Sequence, residues 1–232
     1  MSILLILTTV LSIILGFLLY EKRKDYFTFG YFYHWEDNER LNGVEKSGKR
    51  VVFIGNSITE FWNDLRPDFF IENGYINRGV QGNTTAQMLL RFRRDVIDLQ
   101  PYIVVINGGV NDIGESIGKY YPEFTFNNIK SMTELARANG IEVILSSVLP
   151  SDKIFYNEFV SDISGKVDSL NMMIKLYAYT NDITYIDYNP HMRNENGGLR
   201  YEYSEDRLHP NSEGYKIMES IAKPIIDSVL NE

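Results

Sequence analysis

From Arg50 to its C-terminus, the 232-residue chain reads as an α/β protein whose strands lie parallel. Short apolar runs of strand length alternate with amphipathic segments of helix length, and two of the runs end in polar, glycine-bearing turns. Such alternation needs crossover connections, so the strands pair in parallel and helices cover both faces of a sheet of about five strands. Ligands in sheets of this kind sit beyond the carboxyl ends of the strands.

The apolar runs are residues 51–54, 75–77, 103–106, 143–145 and 183–186, each extending slightly at its ends. Between the second and third, residues 84–99 put Met88, Leu89, Phe92, Val96 and Leu99 near helical spacing. Arg91, Arg93 and Arg94 fall mostly off that face and read as solvated charge. Residues 124–139, 160–180 and 211–230 are helical by the same pattern, and Gly140 is a helix stop. No repeat or low-complexity tract interrupts the alternation.

The N-terminus follows another rule. Residues 2–20 carry no charge, and as a helix they roughly match the ~30 Å of bilayer hydrocarbon. A membrane span is therefore expected. It reads as an uncleaved anchor, since no Lys or Arg precedes the apolar run and no small-x-small site follows it. Lys22, Arg23 and Lys24 come directly after, which puts the body on the cytoplasmic side, with a periplasmic or extracellular body as the alternative. Residues 25–35 are dense in aromatics that either pack on the domain or form an interfacial belt, with packing the preferred reading. The expected division is thus an anchor at 1–20, a juxtamembrane segment at 21–49 and a single domain at 50–232.

Composition narrows the chemistry. A formal net charge of -8 gives no electrostatic reason to expect nucleic acid as a partner. The chain has no cysteine, so disulfides, thiolate metal sites and cysteine nucleophiles are excluded. Its three histidines are His34, His191 and His209. His34, between a tyrosine and a tryptophan, reads as packing, and His191 as an exposed loop residue. No histidine and acid cluster has metal-ligand spacing, and no cofactor is called for.

Ser57 ends the first apolar run in the stretch VVFIGNSITEFW. Three readings compete for it: a helix N-cap with Glu60 as capping-box partner, a phosphate-holding turn, or a nucleophile. A nucleophilic serine needs a base, a group to orient that base, and donors for the oxyanion. Asp206 and His209 have the spacing that lets one turn bring a carboxylate to the far nitrogen of an imidazole. The Ser57 amide, the turn 79–82 after the second run and the Asn111 side chain are candidate oxyanion donors. Asp112 reads as structural, and the glycosylation triplet at Asn83 as coincidence.

Taken in order, Gly55-Asn56-Ser57-Ile58-Thr59, Gly82, Gly109-Val110-Asn111-Asp112 and Asp206-Arg207-Leu208-His209-Pro210 resemble the four signature blocks of the SGNH (GDSL) hydrolases. The resemblance spans most of the body. It implies a flavodoxin-like, three-layer α/β/α fold and metal-free ester hydrolysis, with Ser57 as nucleophile, His209 as base and Asp206 orienting it. The oxyanion hole it implies is the Ser57 amide, the Gly82 amide and the Asn111 side chain. Asn56 and Asn83 depart from the aspartates frequent in relatives, which bears on turn geometry and substrate range. The implied substrates are small acyl esters such as carbohydrate O-acetyl groups or lysophospholipids, with a membrane contact through the N-terminal helix. Two other functions compete: a phosphate- or nucleotide-binding module, which leaves Asp206 and His209 idle, and an inactive membrane-tethered relative, against which an intact triad argues.

Overall fold

The computed structural model describes residues 2–28, 33–42 and 49–231. Two helices open the chain, α1 (Ser2–Thr28) and α2 (Trp35–Asn42). The body begins with β1 (Val51–Gly55), α3 (Ser57–Leu65), α4 (Pro67–Asn73), β2 (Tyr75–Gly79) and α5 (Thr85–Asp95). It continues with β3 (Ile103–Ile106), the short α6 (Val110–Ile113), α7 (Pro122–Ala138), β4 (Glu142–Ser146) and α8 (Ile163–Thr180). It closes with β5 (Thr184–Ile186), the short α9 (Asn189–Met192) and α10 (Ser212–Leu230).

The five strands form one parallel sheet in the order β2-β1-β3-β4-β5. Every residue of β1 and β3 is buried, as strands covered on both faces must be. The connection from β1 runs to β2 on one side, and the connection from β3 runs to β4 on the other. That divergence opens a crevice at the carboxyl ends of β1 and β3, where this class of sheet binds ligands. Gly140 ends α7 with φ +70°, and Gly74 ends α4 with φ +63°. The expected helix over 84–99 is shorter: α5 stops at Asp95, and Ile97–Leu99 is a 3-10 turn.

Aromatic packing sets the position of the C-terminal helix. Trp62 of α3 stacks on Phe69 of α4, with ring centroids 5.0 Å apart, and on Tyr215 of α10, at 5.7 Å. Tyr215 also donates its hydroxyl to the Ile58 carbonyl at 2.8 Å. Glu219, one turn further along α10, accepts two bonds from Arg66 and one from the Trp62 indole. These contacts hold the start of α10 beside the start of α3, and the loops just before those two helices come together as a result.

The expectation of a membrane anchor is overturned. Residues 2–28 are helical, but no helix among the described residues is long and apolar enough to cross a membrane. The inferred membrane placement, and with it the side assigned from Lys22, Arg23 and Lys24, is withdrawn. The aromatic side chains of residues 25–32 lie outside the described residues. Tyr33 and His34 do pack on the body, Tyr33 donating to Glu60 at 2.5 Å and His34 Nε2 lying 3.0 Å from the Gly79 carbonyl.

Candidate active site

The turn after β1 is built without slack. A Cβ on Gly55 would stand 2.0 Å from Thr59 Oγ1 and 2.9 Å from the Asn107 carbonyl, so only glycine lets α3 start this close to the sheet. Asn56, with extended backbone, caps α3: its Oδ1 accepts from the Ile58 amide at 3.0 Å. Ser57 is therefore the first helical residue and not the cap, and Glu60 is not a capping-box partner. Glu60 instead binds Tyr33 and, through its other oxygen, the Gln81 amide. Relieved of capping, Ser57 Oγ lies 2.9 Å from His209 Nε2.

The loop before α10 supplies the other two groups. Asp206 Oδ1 accepts from the Leu208 amide at 2.9 Å, the His209 amide at 2.7 Å and Ser204 Oγ at 3.2 Å. Its Oδ2 lies 2.6 Å from His209 Nδ1. Burial pushes the Asp206 carboxyl up, but the bonds from the His209 amide, the His209 ring and the Leu208 amide outweigh it and hold it below the usual carboxylate range. An ionised Asp206 accepts at Nδ1, so that nitrogen carries the proton and Nε2 presents its lone pair to Ser57. Arg207 takes a left-handed conformation, φ +68°, between them and pairs with Asp152. Phe61 and Phe155 flank the imidazole at centroid distances of 5.2 and 5.9 Å.

Across the crevice lie Gly82 and Asn111. Gly82 has φ +75°, a conformation that favours glycine. Asn111 Nδ2 donates to the Asn83 carbonyl at 2.9 Å, which brings the fourth loop residue after β2 against α6 and, among the described residues, leaves the second N–H of the amide uncommitted. Among the described residues, neither the Ser57 amide nor the Gly82 amide meets an acceptor. Asp112 is buried and accepts from the Thr85 amide at 2.9 Å and Thr85 Oγ1 at 2.6 Å, fixing the start of α5 to the same turn. Asp112 is thus structural, as read.

Two supporting residues were misread or missed. Arg91 is not solvated: it is fully buried and donates to the Gly55 carbonyl, the Arg78 carbonyl, Asn83 Oδ1 and Asp95 Oδ2, all within 3.0 Å. Its guanidinium thereby joins the ends of β1 and β2 to the Asn83 turn, while Arg93 stays exposed. Tyr156 had no sequence signal beyond its place in a loop. Its hydroxyl donates to Asn111 Oδ1 at 3.0 Å and so fixes which way the amide faces. Burial, then the Asp112 charge, pushes the Tyr156 phenol up to about 12, so it remains a donor at neutral pH. Gly114 makes room for it, since a Cβ there would stand 2.2 Å from the hydroxyl. His191 is exposed in α9, and among the described residues no cluster of acids and histidines could hold a metal ion.

A parallel α/β fold with a serine, an imidazole and a carboxylate in one hydrogen-bonded line at the carboxyl ends of its strands defines a carboxylic ester hydrolase. The chain belongs to the GDSL-like Lipase/Acylhydrolase family, whose profile matches residues 53–217. A GDSL-like lipase from Bacteroides thetaiotaomicron is 47% identical, covering 86% of this chain and 98% of that one, and superposes with a TM-score of 0.84. An arylesterase from Vibrio mimicus is 23% identical over 55% of this chain and 69% of its own. An acetylxylan esterase from Geobacillus stearothermophilus shares the fold, with a TM-score of 0.61 at 19% identity, over 78% of this chain and 96% of that one.

Proposed function

We propose that the chain hydrolyses small acyl esters through an acyl-enzyme on Ser57. His209 Nε2 takes the hydroxyl proton as Oγ attacks the ester carbonyl, and Asp206 stabilises the imidazolium that results. The Ser57 amide, the Gly82 amide and the free N–H of Asn111 receive the developing oxyanion. His209 then gives the proton to the leaving oxygen, and a water activated by the same nitrogen releases the acid. The substrates are small acyl esters, a class that runs from carbohydrate O-acetyl esters to lysophospholipids.

The observation that carries this reading is the 2.9 Å contact from Ser57 Oγ to an imidazole whose other nitrogen is held by Asp206. A phosphate-holding turn would leave that contact without a purpose. Hydrolysis of p-nitrophenyl esters by the purified chain, set against the Ser57→Ala and His209→Ala variants, tests it. Each variant is expected to lose on the order of 10⁴-fold or more in kcat. An unchanged rate in Ser57→Ala would sink the assignment.

A further inference from the structure

Beside Asn111 opens a cleft of about 340 Å³ that the reaction described above does not use. Thr84, Asn111, Ile117, Tyr120, Tyr121 and Phe124 are among the residues that line it. Tyr120 is buried, while Ile117, Tyr121 and Phe124 present exposed apolar surface. The imidazole's neighbours Phe61 and Phe155 are not part of this cleft.

The chemistry of an ester assigns the two sides of the crevice. The leaving oxygen must lie against His209 Nε2, because that nitrogen supplies its proton. With the carbonyl oxygen held among the Ser57, Gly82 and Asn111 donors, the acyl substituent points away from the leaving group and so away from His209. The cleft is lined by Asn111 and not by His209, Phe61 or Phe155, which puts it with the oxyanion donors and not with the imidazole. Its volume is about ten times the roughly 30 Å³ share of one water molecule, so the methyl of an acetyl group would leave it nearly empty. Its walls offer apolar surface and aromatic rings, which reward an apolar chain or ring.

We infer that the cleft beside Asn111 is the acyl-binding pocket, and that it selects an apolar acyl group larger than acetyl, a medium-length alkanoyl or an aroyl group. This rests on the esterase reading of Ser57. A series of p-nitrophenyl acetate, butyrate, hexanoate and octanoate varies the acyl group alone. From acetate to hexanoate, kcat/KM should rise at least about tenfold, each buried methylene contributing up to about fourfold.

Gly118 lines the cleft, and a Cβ built there meets nothing within 4 Å, so Gly118→Phe adds bulk without forcing the fold. That variant, and Phe124→Ala, which removes a wall, should each lower the hexanoate-to-acetate ratio about fivefold or more. A wild-type profile that is flat or favours acetate overturns the inference, as does a ratio that neither variant changes. So does a Gly118→Phe effect confined to alkyl acetates graded by alcohol length, because the cleft would then hold the leaving group. Any of these with Ser57→Ala inactive leaves the esterase reading standing. Full hydrolysis by Ser57→Ala removes that reading itself.

Discussion

Asp206 gathers three donors on one oxygen and the imidazole on the other, which fixes the carboxylate before it fixes the histidine. Replacing it with asparagine keeps the volume but removes the charge that selects the Nδ1–H tautomer, so Asp206→Asn should lower kcat by about 10²- to 10⁴-fold in the p-nitrophenyl assay. Its depressed pKa also has a sign. Stability from ionised Asp206 is present above the unfolded value of about 3.9 and lost only as pH falls through the lower folded value. Between neutrality and about pH 5, Asp206 thus stays charged, and its own ionisation should add no proton to the pH profile of kcat/KM. A two-proton slope in that window would contradict the arrangement. Tyr156 acts one residue further out. Tyr156→Phe keeps the ring and removes the bond to Asn111 Oδ1, and kcat is expected to drop about tenfold with KM little changed.

Two helices do most of the positioning. α3 and α10 are joined through Trp62, Tyr215 and Glu219, and they bring together residues 152 apart in sequence. On the other side of β1, α5 carries Arg91 into the interior. Arg91→Met would take one donor each from Asp95 Oδ2, the Gly55 and Arg78 carbonyls and Asn83 Oδ1, and should cost about 3–5 kcal/mol in urea unfolding. Arg93→Ala, on the exposed side of the same helix, should stay within about 0.5 kcal/mol. The contrast shows where sequence reading runs short. The strands announce themselves as apolar runs and the helices by periodicity, because both record burial of apolar faces. Arg91 lies one position before Phe92, at the border of the apolar stripe, and its i,i+4 spacing to Asp95 is a local mark that Arg93 lacks. The carbonyls of Gly55 and Arg78 and the Asn83 side chain, brought by other segments, join Asp95 in making its burial tolerable. Asn56 and Ser57 present the same difficulty, since both are good caps and the choice between them is decided by a histidine far along the chain. Tyr156 is a lone loop tyrosine until Asn111 stands beside it.

Across the whole molecule, the order β2-β1-β3-β4-β5 concentrates the polar turns at one crevice, and this much followed from the alternation of the sequence. The N-terminal portion did not follow. Its apolar run suggested a span, but no helix among the described residues is long and apolar enough to be one. Residues 33–42 instead lie against β2, where Asn38 bridges Arg78 and Asp95, and His34 donates to the Gly79 carbonyl. Burial first, then the Arg78 charge, lowers the His34 pKa to about 4, against the opposing pull of Asp95. The unfolded chain takes up that proton near 6.5 and the native state does not, so this contribution to stability is full above about pH 6.5 and is lost as pH falls toward about 4. Thermal unfolding at pH 7 and pH 5 should show the decline, and His34→Gln should flatten it. The buried Arg91 carries a different consequence for the whole chain. It holds the ends of the neighbouring strands β1 and β2 and the turn beside Gly82 with one cation, so that turn cannot open by itself without stranding a charge in the interior. The amides of Asn83 and Thr85, bound by Val80 and Asp112, should therefore exchange with deuterium as slowly as those of the central strands, and far more slowly than those of an ordinary surface loop.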